Sequence, residues 1–527
     1  MKHDEIKDLV NRGILQENPD MGLVQKEIKS LVDRGFIREL PNNFFEFDNN
    51  LTWEVVYETL AYAERRRIHN LVARHIEKRN EGQLGGVSDV LAYHYERSGN
   101  IKKSIWYFSL AGDRAAEMYA NEDSISSYKQ VLDLLGQYGE MLASDKGLVL
   151  EKIADVYRIR GQFKESADYY IRVLELTRSN KSKRKSKLLP WMFRDSTRES
   201  ELCRKIAIAV EGQSEYEKSV GWLDEAIRKL PMRPGGVASR IAAMKSGVLY
   251  RMGKYKDGIQ WGKKALKHAA RLKLDADVAS AQNILGLIYL AEGKMELAEN
   301  YFSKAADLFE RLDDYPSIAN TKSNLAICYM WTGELSSAIN NYFMALEADK
   351  RVQNISSMAI DHTNLAEVLI MAGDVEEAET HIKFVHEAFE DKLCPPDLAG
   401  LAFVHLCRCE MINGDLSKSQ IAIDEGLELI RNAGQSMILG QAELQLAELL
   451  YAQEEFSQAE NTCLDALTVI EVSGMKPLEV IGKRIMAEVN NKRGRLSETI
   501  AIINDSINLA RETGRNDDAD VNIVAKV

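Results

Sequence analysis

Glycine recurs about every forty residues along the second half of the chain, and this period constrains the fold more than any other feature. Six glycines and one glutamate occupy the recurring position: Gly253, Gly293, Gly333, Gly373, Gly414, Glu454 and Gly494. Each lies seven residues after a small residue and five residues before another. Glycine adopts the positive φ that ends a helix, and small residues let two helices approach closely. The period therefore predicts a repeated helical hairpin.

One complete unit spans residues 279–312. Its apolar positions follow the i, i+3, i+4, i+7 spacing of a helix face. The facing positions are Leu285, Gly286 and Tyr289 on the first helix, and Ala298, Phe302 and Ala305 on the second. The same offsets return in the units around Gly333 and Gly373, so each hairpin is expected to bury its apolar face on its neighbours.

These offsets resemble those of the tetratricopeptide repeat, in which a small residue, an aromatic residue, glycine and alanines follow one another in the same order. The resemblance implies an all-α solenoid, a right-handed superhelix built from hairpins of about 40 residues. Extended toward the N-terminus, the template fits units near 87–111, 147–177 and 200–230. It predicts about nine hairpins in all, and an extra helix around residues 122–136.

The first eighty residues have a different pattern. A helix-like segment at 23–35 leads into the apolar run 36–40, a Pro-Asn-Asn turn at 41–43 and a second run at 44–47. Helix, strand, tight turn and strand form the core of a winged helix. The sequence therefore predicts a small winged-helix-like domain at residues 1–80.

The segment that follows the second strand resembles the end of the ATPase module in signalling NTPases of the STAND type. The matching residues are Glu54, Val55, Tyr57, Glu58, Leu60, Arg66, Arg67, His69, Val72, Ala73 and Glu77. The histidine that precedes this helix in the family is missing. Residues 91–135 are similar to the junction between ATPase and repeats in that family. The resemblance implies a regulatory arm whose P-loop ATPase would be an upstream domain or a separate subunit.

We divide the chain into a winged-helix-like domain at 1–80, N-terminal helices at 81–177, a basic insertion at 178–198 and a repeat array at 199–527. The insertion carries six cations between Arg178 and Lys187 and then an apolar run at 188–193. It is either a docking site for an acidic partner or a solvated loop with an apolar anchor.

Composition excludes several classes of function. The net charge of −12 argues against general binding to nucleic acid, and no apolar stretch is long enough to span a membrane. With no signal-peptide core at the start, the chain is expected to be cytoplasmic.

Alternate residues of a helix point in different directions, so His405, Cys407 and Cys409 are not expected to share a metal. No catalytic or cofactor motif is found, and the sequence predicts a non-enzymatic protein without cofactor or metal.

The binding surface is expected to follow from the resemblance, because tetratricopeptide arrays bind their ligands along the concave face of the first helices. Carrying over the groove positions gives a candidate set: Arg204, Arg240, Arg251, Asn283, Leu287, Asn320, Ile327, Met330, Trp331, Glu367, Ile370 and Met371. This groove would be basic at one end and apolar in the middle. Alternatively, the apolar members only pack between neighbouring helices.

The sequence thus favours a protein-interaction or sensor module that binds a protein or peptide with acidic and apolar anchors. The residues of the carboxylate clamp known in the repeat family are absent. The alternative is a transcriptional regulator that binds nucleic acid through the winged helix and the basic run. A salt-dependent DNA shift assay separates the two hypotheses.

We expect the isolated chain neither to bind nor to hydrolyse ATP, because the sequence has no glycine-rich loop that could cradle phosphates. Turnover measurements and thermal melts with and without nucleotide check this. Turnover that survives repurification, or a melting temperature that rises with ATP, would contradict the prediction.

Overall fold

The computed structural model describes residues 21–40, 44–118, 120–137, 143–183, 192–433, 436–473 and 476–512. Within these ranges the chain is almost entirely helical, as predicted. Contacts divide it into two units, Met1–Lys229 and Leu230–Val527. No helix in the described ranges has the length and apolar character needed to cross a membrane.

Unit 1 begins with the predicted helix and antiparallel strand pair. Helix α1 (Met21–Asp33) precedes β1 (Ile37–Leu40), which pairs with β2 (Phe44–Phe47). Ile37 lies opposite Phe47, and Leu40 lies opposite Phe44. The predicted turn at 41–43 and residues 184–191 of the predicted basic insertion lie outside the described residues. The helix and strands are confirmed, and the winged-helix assignment stays a prediction.

The rest of the described part of unit 1 is mainly helical. Its helices are α2 (Asn50–Thr59), α3 (Tyr62–Arg79), α4 (Ser88–Ser98), α5 (Ile101–Glu117), α6 (Asn121–Gln137), α7 (Ala143–Ile159), α8 (Phe163–Lys183), α9 (Met192–Glu211) and α10 (Tyr216–Arg228). In the three hairpins of unit 1, a buried serine near the start of the second helix (α5, α8 or α10) donates to a carbonyl twelve residues earlier, as Ser166 Oγ does to the Ala154 oxygen at 2.8 Å. The predicted extra helix is confirmed as α6.

Unit 2 is a regular stack of seven hairpins. The first helices are α11 (Val237–Arg251), α13 (Asp275–Ala291), α15 (Tyr315–Trp331), α17 (Ile355–Ala372), α19 (Pro396–Ile412), α21 (Ser436–Ala452) and α23 (Lys476–Lys492). The second helices are α12 (Tyr255–Leu272), α14 (Met295–Arg311), α16 (Leu335–Val352), α18 (Val375–Glu390), α20 (Leu416–Ala433), α22 (Phe456–Ser473) and α24 (Leu496–Glu512). With three hairpins in unit 1, the described chain holds ten hairpins, close to the predicted number.

The recurring glycines end the first helices. Gly293 has a φ of 74°. Its N–H donates to the Leu290 carbonyl at 2.9 Å, and the Lys294 N–H donates to the Tyr289 carbonyl at 2.9 Å. This is the Schellman arrangement, which satisfies the last carbonyls of the helix and turns the chain into the next one. Glu454 takes the same conformation, with a φ of 63°, although it has a Cβ.

The small residues hold the two helices of a hairpin together. A Cβ built on Gly286 would lie 2.6 Å from Cε1 of Phe302, closer than atoms can pack. Phe302 is itself fully buried. The glycine therefore makes room for the aromatic ring of the second helix, as the sequence pattern predicted.

A buried carboxylate joins two neighbouring first helices. Asp361 on α17 is 2% exposed, and its Oδ1 accepts a 2.5 Å hydrogen bond from Ser323 Oγ on α15. Its Oδ2 is buried without a hydrogen-bond partner. Burial raises the pKa of Asp361 to about 7, the Ser323 hydrogen bond opposes this shift, and nearby Asp349 adds to it.

We expect Glu454→Gly to raise the free energy of unfolding by about 1 kcal/mol, because glycine adopts positive φ without the Cβ penalty. Gly373→Ala is the matched control. Gly373 has a φ of 87° and open space around its Cα. Only backbone strain should therefore lower the free energy of unfolding of the Gly373→Ala protein. Chemical denaturation measures both variants. A Glu454→Gly protein that is no more stable than the wild type would contradict the prediction.

The raised pKa of Asp361 predicts a specific pH dependence of stability. A folded-state pKa of about 7 means that the acid is protonated in the folded protein over a range where it is ionised in the unfolded chain. The free energy of unfolding should therefore fall as pH rises from about 4 to about 7, by on the order of 4 kcal/mol. Asp361→Asn should remove this part of the dependence. Parallel curves for wild type and variant between these pH values would contradict the assignment.

Candidate functional site

The first helices of unit 2 form one continuous face. Helices α11 and α13 contact each other, as do α13 and α15, α17 and α19, α19 and α21, and α21 and α23, and the hydrogen bond from Ser323 to Asp361 joins α15 to α17. Contacts between successive second helices are sparser. The first helices therefore lie on the inner side of this stack. We call the solvent-exposed surface of these helices the first-helix face.

The apolar middle of the predicted groove lies on α15 and α17. Ile327, Met330 and Trp331 are half-buried, and the first two pack against the core of the stack. Met371 is 43% exposed at the end of α17. These four side chains provide an apolar surface that the described residues cover only in part.

Ile370 does not belong to this surface. Its side chain is 4% exposed and lies in the core cluster shared by α15 to α19. Its position in the groove was predicted from the repeat template, but its side chain lies in the same core cluster as Ile382 of α18 and Ala402 of α19. Leu287 is intermediate, because it is half-buried against the cluster around Leu285 and Phe302.

Three asparagines form a polar cluster beside the apolar residues. Asn283 Nδ2 on α13 donates to Asn320 Oδ1 on α15 at 3.3 Å. Asn324 Nδ2 donates to Asn283 Oδ1 at 3.2 Å and to Asn320 Oδ1 at 3.3 Å. Asn283 and Asn320 were predicted site residues, and Asn324 was not. Its place one helical turn after Asn320 was the signal that could have identified it.

The predicted basic residues are partly neutralised. Arg204 lies in unit 1 and pairs with Glu201 on its own helix, with Nη2 2.6 Å from Oε1. Arg240 on α11 has its Nη1 3.8 Å from Oδ2 of Asp277. Arg251 is exposed at the end of α11. The sequence did not reveal that Asp277 neighbours Arg240, because Asp277 comes from the next first helix.

Glu367 on α17 is the acidic residue of the predicted groove. Its side chain is half-buried, and burial raises its pKa, while the charge of Arg408 on α19 opposes the shift. Arg408 is half-buried as well. In the described part of the chain neither residue forms an ion pair or a hydrogen bond through its side chain.

The metal interpretation of the cysteines gains no support from the geometry. All six cysteines are free and buried. His405 is 3% exposed, and burial and Arg408 lower its pKa to about 3. Among the described residues no three potential ligands converge as a metal site would require.

Two sequence profiles described as tetratricopeptide repeat match the chain, one at residues 240–311 and 277–351 and the other at 149–184. No curated protein has a significant match to it.

The chain is also similar to several solved structures. The apo form of the quorum sensor NprR from B. thuringiensis is 14% identical, with a TM-score of 0.49, over 67% of this chain and 99% of that one. A Rap protein complexed with competence and sporulation factor is 15% identical, with a TM-score of 0.42 and coverages of 67% and 99%.

A STAND protein with a tetratricopeptide repeat sensor from Pyrococcus horikoshii is also 15% identical, with a TM-score of 0.45. The similar region covers 82% of this chain and 60% of that one. The sequence profiles, the hairpin geometry and the left-handed residues between helices agree: residues 149–184 and 240–351 are tetratricopeptide repeats.

Proposed function

We propose that this chain is a non-enzymatic interaction module that binds a protein or peptide segment on the first-helix face of unit 2, as the regulatory arm of a STAND-like signalling NTPase. Tetratricopeptide repeats support a role in protein interaction. The observation that carries the proposal is the apolar surface of Ile327, Met330, Trp331 and Met371. Such a surface, bordered by polar groups, is typical of protein interaction sites.

The asparagine cluster suits a ligand with an accessible main chain. A carboxamide offers both a donor and an acceptor, which matches the N–H and C=O of a peptide group. In the described structure Asn320 is exposed, and its Oδ1 accepts two hydrogen bonds. Its Nδ2 makes no protein hydrogen bond among the described residues, so it is available to a ligand carbonyl. An extended segment lying next to the apolar surface would use both features.

The link to a larger NTPase is supported by the N-terminal region. Helix α2 has no buried residue, and Leu51, Trp53, Val55 and Val56 are all at least 45% exposed. Together with the resemblance of residues 36–135, this apolar helix favours docking against a P-loop ATPase domain or subunit. Co-purification with such an ATPase, lost when Leu51 and Val55 are changed to serine, tests this part.

The nucleic-acid alternative has less support. In a winged helix, the helix before the strands enters the major groove. In this chain that helix is α1, which carries two lysines and two acidic residues. With no net positive charge, α1 lacks the electrostatic attraction to phosphates on which such binding depends.

Met371→Ala and Trp331→Ala should each weaken binding of the natural partner about tenfold or more, because apolar anchors dominate interface energies. The partner is first recovered by affinity purification, then repurified and titrated by calorimetry. Ile370→Ala is the matched control, since this neighbouring residue is in the core. It should lower the free energy of unfolding by about 2–5 kcal/mol.

The two groove variants should melt close to the wild type. If Trp331→Ala and Met371→Ala lower the melting temperature by several degrees and leave the affinity unchanged, the residues serve packing and the proposed groove is wrong. Equal loss of affinity in Ile370→Ala would point to a general effect of unfolding.

A further inference from the structure

We infer that Glu367 and Arg408 form a charged subsite on the first-helix face, which binds a ligand segment that carries one cationic and one anionic side chain. The cation of the ligand would pair with Glu367 and its anion with Arg408. This inference rests on the proposed function, because it names the chemistry of the segment that the face would bind.

The two residues occupy equivalent places in neighbouring hairpins. Each lies six residues before the left-handed glycine that ends its helix, Gly373 for Glu367 and Gly414 for Arg408. Helices α17 and α19 contact each other. Successive first helices therefore present an acid and a base side by side in one row of the first-helix face.

The repeat allows such charges to pair, as two later hairpins show. Glu448 on α21 occupies the same repeat position as Glu367, and it pairs with Arg484 on α23. Arg484 also lies 2.8 Å from Glu488, the residue at this position on α23. Between α21 and α23 the charges of the row are therefore paired within the protein, and we call this part of the row closed. Between α17 and α19, over the residues that the structure describes, it is open.

Leaving these charges apart has an energetic cost. A half-buried carboxylate without an ion-pair or hydrogen-bond partner has lost part of its hydration, and no direct contact replaces it. Burial raises the pKa of Glu367, and the opposing effect of Arg408 does not cancel this rise. A ligand cation would supply the missing partner. Because the cost is present in the free protein, its relief on binding would add to affinity.

The spacing of the helices limits the ligand. Packed helices lie about 8–10 Å apart, and an extended peptide advances about 3.3 Å per residue. Two ligand charges separated by about three residues would therefore reach both sites. Met371 and Ile412 are exposed at the ends of α17 and α19. They would contact apolar residues of the same segment.

The experiment uses the full chain and six synthetic tetrapeptides, acetylated and amidated so that only side chains carry charge. Lys-Leu-Leu-Glu and Glu-Leu-Leu-Lys present the two charges in both orders. The other four replace the lysine or the glutamate by glutamine. We expect one doubly charged order to bind about tenfold more tightly than either of its singly charged versions, as charge-assisted hydrogen bonds allow.

Glu367→Gln should remove only the preference for lysine over glutamine in the peptide. Arg408→Gln should remove only the preference for glutamate over glutamine. Glu448→Gln, the matched control in the closed part of the row, should change neither. The inference is overturned if no peptide binds at millimolar concentration, if the doubly charged peptides bind no better than the others, or if Glu367→Gln keeps the preference for lysine.

Thermal melts provide a second test and show that the variants fold. Glu367→Gln should melt above the wild type, because it removes an unpaired charge, whereas Glu448→Gln should melt below it. A lower melting temperature for Glu367→Gln would show that the carboxylate is paired in solution and would also overturn the inference. The groove proposal is judged separately. If Met371→Ala weakens partner binding while Glu367→Gln does not, only the subsite is wrong.

Discussion

The left-handed residue that ends each first helix is the constraint on which the rest of unit 2 depends. It satisfies the last carbonyls of the helix and at the same time reverses the chain, so it fixes where the second helix begins. Because that residue returns every forty or so positions, each side chain has an equivalent in the next hairpin. The close contact of Gly286 with Phe302 then sets the distance between the two helices. A surface row of equivalent residues follows from these two local features.

This explains why so much of the fold could be predicted from the sequence. Positive φ and close helix contact each demand a particular residue type, and both demands are visible as a period. Glu454 shows that the repeat keeps the left-handed turn even where the residue at this position is not glycine. The strand pair in unit 1 could be predicted for a similar reason, because short apolar runs on either side of a Pro-Asn-Asn sequence allow few alternatives.

The binding face was harder to predict, because exposure there depends on how neighbouring hairpins pack. Ile370 and Met371 are adjacent and equally apolar, yet one is buried and the other exposed. Adjacent residues of a helix point about 100° apart, and Ile370 lies in a core cluster with residues of α18 and α19, which the sequence of α17 alone does not identify. The same limit applies to Arg240 and Asp277, and to Ser323 and Asp361, since each pair joins two first helices about forty residues apart. A template aligns equivalent positions but does not say which of them meet.

Asp361 and Glu367 are acidic residues of the same helix with different roles. Both lie on α17, and burial raises the pKa of each. Asp361 accepts a hydrogen bond from Ser323 of the preceding first helix, so its burial helps to fix the stack even though an oxygen is left without a partner. Glu367 has no such bond and retains contact with solvent on the first-helix face. A carboxylate that costs stability and can still be reached from outside is better explained by a ligand than by packing. For this reason we place the chemical specificity of the face at Glu367 and leave Asp361 to the architecture.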